Sequence, residues 1–288
     1  MKTVVIGSAG QLGRDIVPLL DGNVVAFTRA DADLADATRL RICLESHRPD
    51  RVVNCAAYNL VDRAESEPQV AFDVNSWGVR AIAEICRDLD ATLVHFSTDY
   101  VFGMDSTRST PWKEVDAPGP VSTYGLSKLT GEYWARLLCP KHLVIRTCGL
   151  YGLWGQGGKG GNFVETMLRV AGQGKPLRVV DDQRCGPSFT KDVAEASITL
   201  IATGRVGLYQ LTNSGQCTWF EFAREIFRQS GMRPDLTATT SAGYGLPAKR
   251  PTYSVLDNGS AIAAGVARLR SWQEALADYL SQRAKKPH

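Results

Sequence analysis

The chain has 288 residues, 44% of them hydrophobic and 22% charged, with a formal net charge of +3. That length suits one large domain or two closely joined ones with a substantial core. The small net charge, with no block of like charges, gives no argument for a nucleic-acid or membrane partner, and the tail Arg283-Ala284-Lys285-Lys286 reads as solvated. No apolar run approaches the length of a bilayer span. The seven cysteines, at 43, 55, 86, 139, 148, 185 and 217, contain no C-x-x-C pair. Their odd number and wide spacing argue against a disulfide framework and against a zinc site, and favour a reducing, cytoplasmic setting. The N-terminus runs straight into apolar residues and glycines and lacks a signal-peptide layout.

Thr3 to Ile6 reads as a short buried strand that runs into Gly7-Ser8-Ala9-Gly10-Gln11-Leu12-Gly13, followed by a helix from Arg14 to Leu20. Strand, G-x-x-G-x-x-G turn and helix are the context in which such a motif binds a dinucleotide. The glycines permit a tight turn and close backbone approach, and the helix start offers free N–H groups to a pyrophosphate. A second strand, Val24 to Phe27, leads into Thr28-Arg29-Ala30-Asp31. Arg29 is placed for a 2′-phosphate and favours NADPH; Asp31 keeps NADH open. Asp33 and Leu34 follow, beside the expected adenine site.

A helix over Ala37 to His47 precedes the third strand, Arg51 to Ala56. Ala56, Ala57 and Tyr58 then lie at the strand's carboxyl end, the edge at which an open parallel sheet binds ligands. Pro68 to Asp88 reads as one long helical stretch with Val70, Val74, Val79, Ile82 and Ile85 on its apolar side. Thr92 to Ser97 is another strand; His95 inside it reads as packed rather than catalytic. It ends in Thr98-Asp99-Tyr100. Thr98 suits a hydrogen bond to a carbonyl and Asp99 one to a sugar hydroxyl; the alternative is a turn that closes the strand.

Tyr124 and Lys128, in Ser122-Thr123-Tyr124-Gly125-Leu126-Ser127-Lys128, are four residues apart and share one helix face. A cation beside a phenol favours phenolate and lowers the tyrosine pKa, which makes a general acid. Strands follow at His142 to Thr147, Pro176 to Val180 and Gly207 to Leu211. Helices are expected from Lys191 to near Gly204, from Thr218, where Glu221 stands at capping-box spacing, and from Ser271 to Ala284. Residues 242–256 read as mostly loop. In that loop Arg250 has the fork suited to a diphosphate; a surface salt bridge is the other reading.

These elements make an α/β chain. A Rossmann-type doubly wound parallel sheet takes residues 1–148 plus roughly 187–215. A smaller, interleaved α/β substrate-binding lobe takes roughly 149–186 plus 216–288.

In this order the motifs resemble the extended short-chain dehydrogenase/reductases that act on nucleotide sugars, and more narrowly the dTDP-4-dehydrorhamnose reductase family. The resemblance rests on the glycine motif at 7–13, Asn54 to Ala57, Ser97 to Phe102 and Tyr124-x-x-x-Lys128. It extends through Val61 to Pro68, Asn162 to Leu168, Asp181-Asp182-Gln183, Gly186-Pro187-Ser188, Arg250-Pro251 and Ser254 to Asp257, nearly the whole chain. It implies reduction of dTDP-4-dehydro-L-rhamnose to dTDP-L-rhamnose with NADPH. Tyr124 then protonates the new alkoxide, Lys128 holds the ribose and lowers the tyrosine pKa, and Thr98 binds the carbonyl. Val61, Asp99, Trp154 and Arg250 are the further substrate contacts expected. A homodimer and a role for Mg2+ are left open by the same resemblance.

One stretch departs from that pattern. Cys148-Gly149 stands where the family has serine and tryptophan, so the aromatic platform for the deoxysugar is missing. Trp154, in the insert Gly152 to Gly161, has three readings: a replacement platform, the cap of a mobile lid, or surface packing. An epimerase or a dehydratase of the same superfamily is a second enzymatic reading, although Tyr100 stands where a dehydratase carries glutamate. A non-catalytic regulatory subunit, like the reductase-like partner of methionine adenosyltransferase, is the third.

Overall fold

The computed structural model describes residues 1–154 and 161–285; the expected lid over 152–161 lies mostly outside them. The chain runs β1 (Lys2–Ile6), α1 (Gln11–Ile16), β2 (Asn23–Phe27), α2 (Ala37–His47), β3 (Arg51–Asn54), α3 (Val61–Ser66), α4 (Pro68–Phe72), α5 (Gly78–Asp88) and β4 (Thr92–Thr98). It continues through α6 (Thr123–Leu138), β5 (His142–Thr147), β6 (Leu150–Tyr151), α7 (Phe163–Gly172), β7 (Leu177–Val180), β8 (Arg184–Cys185), β9 (Ser188–Phe189) and α8 (Thr190–Ala202). The closing elements are β10 (Gly207–Gln210), β11 (Cys217–Thr218), α9 (Trp219–Ser230), β12 (Leu236–Thr239), α10 (Ser241–Tyr244), α11 (Gly259–Ala263) and α12 (Trp272–Lys285).

Six strands form one sheet in the order β10-β5-β4-β3-β1-β2, and every pair in it is parallel. All the carboxyl ends therefore open on one edge. The strand order reverses at β1, which lies between β2 and β3, and the crevice at such a reversal is where open α/β sheets bind ligands. The strands read as unbroken apolar runs because helices cover both faces. On one face Leu40 and Leu44 of α2, Val79, Ile82 and Ile85 of α5 and Ala135 of α6 pack on Val4, Val52 and Leu93. On the other, Leu12 and Ile16 of α1 and Val193 and Leu200 of α8 pack on Val5, Val53, Val94 and Ile145.

Several expected boundaries shift for local reasons. α1 ends at Ile16 and gives way to a 3-10 turn over Val17–Leu19 because Pro18 cannot continue the hydrogen-bond ladder. β3 stops at Asn54, whose side-chain Oδ1 accepts from the Ala56 N–H at 3.1 Å and turns the chain. The single helix expected over 68–88 is interrupted by a π turn at Asp73–Trp77. The stretch before and within the expected loop holds β12, which pairs in parallel with β7, and the short α10.

A third apolar cluster builds the lobe: Tyr151, Val164, Phe189, Phe222, Ile226, Trp272, Leu276 and Tyr279 come from β6, α7, β9, α9 and α12. β6 pairs with β9, so the chain re-enters the Rossmann core at α8 directly from the lobe. Residues 259–269, grouped with the lobe from sequence, pack instead on the sheet through Ala261, Ala264, Val266 and Leu269. A small fourth cluster joins Val101 and Phe102, just past β4, to Trp112, Leu129, Tyr253, Val255 and Leu256. It fixes the end of the C-terminal loop beside the carboxyl edge of the sheet.

Candidate active site

The glycine turn is packed too tightly for side chains. A Cβ on Gly13 would lie 2.4 Å from the Gly7 carbonyl oxygen, and one on Gly7, where φ is +78°, would lie 2.6 Å from the Ala56 nitrogen. The turn thus rests on Cys55 and Ala56, the first two residues past β3, which brings Ala56 against the turn that holds Gly7, Gly10, Gln11, Leu12 and Gly13. The first turn of α1 carries no acid and its Gly10 cap adds no side-chain bond, so its N–H groups are left to an anion. Past β2, the Asp31 carboxylate is turned back onto Thr28, accepting from its N–H at 2.9 Å and its hydroxyl at 2.7 Å. The Arg29 side chain is 81% exposed and meets Asp33 at 3.1 Å. Leu34, expected beside the adenine, is a core residue: it is buried with α2 and α5, and Gly78 packs against it.

The catalytic candidates converge. Ser122 caps α6 by accepting from the Gly125 N–H. Gly125 lets the helix lie close: a Cβ there would be 2.2 Å from the Tyr100 carbonyl oxygen. α6 thereby sets the Tyr124 phenol beside the hydroxyl of Thr98, the last residue of β4. One turn on, Lys128 donates from Nζ to the Phe96 carbonyl oxygen at 2.6 Å. Val61 opens α3 nearby in sequence to Tyr58, whose backbone is held by Asn75. Ala57, just before Tyr58, is exposed.

The electrostatics differ from expectation. Burial pushes the Tyr124 phenol up to about 12; the Thr98 hydroxyl pulls it down and Asp99 adds to the rise. Burial outweighs the pull expected of Lys128, whose ammonium is bonded to the Phe96 carbonyl. Burial brings Lys128 itself down to about 8, against the restoring pull of Glu132 and Cys55. His95 is buried, accepts from Asn54 Nδ2 at 3.1 Å and stays neutral, because burial and the Lys128 charge hold it well below its usual range.

Three expected substrate contacts have protein partners. Asp99 is 3% exposed. Its carboxylate accepts from Thr98 Oγ1 and from Cys148 Sγ, each at 3.1 Å, and also from Ser254. A buried carboxylate needs such protein donors. Arg250 spends its fork on Asp62, with bonds of 3.1 and 2.8 Å, since a carboxylate offers the same bidentate geometry as a phosphate. Trp154 packs against α1: its ring lies 5.5 Å below the Arg14 guanidinium and its indole N–H bonds Asp15. This places it beside the glycine turn. Next to the departure at Gly149, the edge of the Trp219 ring comes within 3.4 Å of where a side chain would begin.

Sequence reasoning missed the residues that hold these groups. Asn75, in the π turn, accepts from the Tyr58 N–H, donates to the Tyr58 carbonyl at 2.8 Å and donates to Ser127 at 3.0 Å. It ties the loop past β3 to α6 between Tyr124 and Lys128. Asn162 links the lobe to the glycine turn by donating to Gln11 Oε1 at 3.2 Å. Glu132, one turn past Lys128, is fully buried against Arg146 and Ser97. Only the 3.6-residue spacing of Tyr124, Lys128 and Glu132 could have flagged it. Among the described residues no group of three or more His, Cys, Asp or Glu is arranged to hold a metal, and no helix is long and apolar enough to cross a membrane.

A dinucleotide turn at the sheet's reversal point, with a tyrosine–lysine pair on the helix beside it, defines a member of the short-chain dehydrogenase/reductase class. The chain belongs to the RmlD substrate binding domain family, whose model matches residues 1–285. It is 40% identical to dTDP-4-dehydrorhamnose reductase of Streptomyces griseus, over 96% of this chain and 92% of that one. It is 38% identical to dTDP-4-keto-6-deoxy-D-glucose reductase of Streptomyces niveus, over 96% and 95%. In structure it matches dTDP-4-dehydrorhamnose reductase of Bacillus anthracis in complex with NADP, with a TM-score of 0.92, 32% identity and coverage of 98% and 99%.

The buried ammonium has a thermodynamic consequence. Lys128 titrates at about 8 in the fold against 10.5 ordinarily. Between those values the unfolded chain binds a proton that the folded chain lacks, so this group's contribution to stability rises with pH and is at its worst below about 8. Lys128→Met is expected to raise stability at pH 7 by about 1–2 kcal/mol, after allowance for the lost Phe96 bond, and to flatten the rise towards alkaline pH. Urea unfolding at pH 7 and pH 10 measures both; a less stable variant at pH 7 contradicts a buried ammonium.

Proposed function

We propose that this protein is an NADPH-dependent reductase of a dTDP-4-keto-6-deoxy sugar, converting dTDP-4-dehydro-L-rhamnose to dTDP-L-rhamnose. The observation that carries the reading is the Tyr124 phenol beside the Thr98 hydroxyl, one helical turn from buried Lys128, at the sheet edge that also holds the glycine turn. The turn and the uncapped start of α1 suit a pyrophosphate, and exposed Arg29 suits a 2′-phosphate. The named activities of relatives at 38–40% identity support the substrate class. Those two names differ in the sugar, so the hexose is the finer part of the proposal.

Bound NADPH supplies the hydride for C4. Thr98 orients the carbonyl oxygen by turning its hydroxyl proton from Asp99 to the substrate. Tyr124, kept protonated well past neutrality by burial, hands its proton to that oxygen as charge develops on it. Lys128 places a positive charge under the tyrosine row, which favours the phenolate left behind. Tyr100, which follows Asp99, is buried and its phenol is raised far above its usual range, so it offers no base for an elimination. The complete Thr98–Tyr124–Lys128 set favours an enzyme over a regulatory subunit. Seven free thiols are consistent with a cytoplasmic setting.

The first assay follows NADPH oxidation with dTDP-4-dehydro-L-rhamnose made in situ. Wild-type turnover is expected, and Tyr124→Phe is expected to lower it by about a thousandfold or more while the Kd for NADPH stays within about threefold. Tyr124→Phe with near wild-type turnover removes the proton-donor role.

Arg29→Ala is expected to raise the KM for NADPH about tenfold, one lost charged contact, and to leave that for NADH unchanged. Parallel changes for both cofactors count against a 2′-phosphate contact.

We also propose a homodimer through α6. Leu126, Tyr133 and Leu137 are exposed along one side of it, and exposed Trp77 stands beside Trp134 at its edge. Sedimentation should give a dimer that Leu137→Glu converts to monomer; a wild-type monomer at micromolar concentration sinks the proposal.

A further inference from the structure

Three consecutive residues of β4 hold three residues of α6 that are each one turn apart. Thr98 lies beside Tyr124, the Phe96 carbonyl accepts from Lys128 at 2.6 Å, and Ser97 Oγ donates to Glu132 Oε1 at 2.5 Å. The first two rungs carry the proposed chemistry; the third has no assigned part in it. Glu132 is 0% exposed and Arg146, from β5, 1%. Arg146 donates Nε to Glu132 Oε1 at 2.9 Å and Nη2 to Oε2 at 2.7 Å, while its guanidinium lies 5.0 Å from the centre of the Phe102 ring. A fully buried ion pair is weak as a source of stability, because desolvation offsets the attraction and apolar replacements do as well or better. Its presence one turn from Lys128 asks for another reason.

The groups around Lys128 supply it. Tyr124 lies on the same helix and is neutral. The Cys55 thiol, past the end of β3, is pushed up to about 12 by burial and is neutral. His95, in β4, is held neutral. Glu132 is the one negative charge acting on the ammonium among these groups, and Arg146 is bonded to that carboxylate. We infer that the buried Glu132–Arg146 pair is a positioning device for the reaction: Arg146 and Ser97 fix the Glu132 carboxylate one helical turn from Lys128, where it steadies the ammonium under Tyr124. The inference rests on the reductase reading for its purpose, although the charge coupling itself does not need a substrate.

The test is a titration of Lys128 by NMR, with lysine labelled at 13Cε and the signal assigned through Lys128→Met. Wild-type Lys128 should titrate near about 8. In Glu132→Gln/Arg146→Met, which removes both charges and leaves neither partner stranded, it should titrate about one pH unit lower. The alkaline limb of kcat should move by the same amount, and the Kd for NADPH at pH 6.5 should stay within about threefold, one sign of an intact site. Glu132→Asp, which keeps the charge on a shorter arm, should hold the Lys128 titration near its wild-type position; this arm also decides the matter if the double variant does not fold. A folded double variant with an unmoved Lys128 titration, or Glu132→Asp displaced by a full unit, overturns the inference and leaves the pair as packing. Absence of wild-type turnover on dTDP-4-keto sugars would instead overturn the proposed function, because the titration is read without substrate.

Discussion

The register of α6 against the end of β4 is the constraint on which the site depends. A helix repeats every 3.6 residues and a strand alternates every two, so a side chain from each of three helical turns meets three adjacent strand residues only if the helix crosses close and at a fixed slide. Gly125 allows the closeness, since any side chain there would strike the Tyr100 carbonyl. Ser122 fixes the helix start. Glu132 and Arg146 lock the far end to β4 and β5 at once. Between those anchors Tyr124 and Lys128 have little freedom to wander. That is the preorganisation a proton donor needs, because the donor must already be aimed when charge appears on the substrate oxygen.

The polar groups behind this row are arranged by the cost of burial. Asp99, Glu132, Arg146 and Lys128 are almost wholly removed from water, and each is given partners. Asp99 has three side-chain donors, one of them the thiol of Cys148. Its neighbour Thr98 is held between that carboxylate and the Tyr124 phenol. Arg250 follows the same logic at the rim. Its fork is matched by Asp62 at the start of α3, which clamps the C-terminal loop to the sheet side of the site. A charge that reads as a ligand contact in the sequence thus becomes a structural clasp once a carboxylate lies within reach.

The interleaved lobe is joined to the cofactor turn by small polar contacts rather than by a broad apolar face. Asn162 caps α7 and reaches Gln11, while Trp154 lies against Arg14 and Asp15 of α1. Both ends of the glycine-rich insert are therefore fastened beside the turn that would carry the pyrophosphate. The aromatic group of Phe163, Trp219 and Phe222 stands immediately inside that junction, with Trp219 against Gly149. The lobe's own core continues behind it through Tyr151, Phe189 and Tyr279.

Local pattern was enough for the elements with strong periodicity and for the turn chemistry. The apolar strands, the glycine turn at 7–13 and the capping box at Thr218 and Glu221 are properties of neighbouring residues, and they stand where the sequence implies. The pairing of Tyr124 with Lys128 is also local, since four residues on a helix always share a face. Sequence alone could not say which partner a charged side chain would choose. Arg250 and Asp62 are 188 residues apart, and Tyr58 meets Asn75 only because the chain is bent into a π turn there. Glu132 looked like one more helix carboxylate until β5 brought Arg146 against it. The ionisation of Tyr124 and Lys128 was likewise decided by the fold: proximity along a helix predicts a pull between the two, but burial acts on each separately and outweighs it. The order of residues determined which chemistry was present, and the tertiary structure decided its partners and its charge, because desolvation and long-range contacts exist only after the chain has closed on itself.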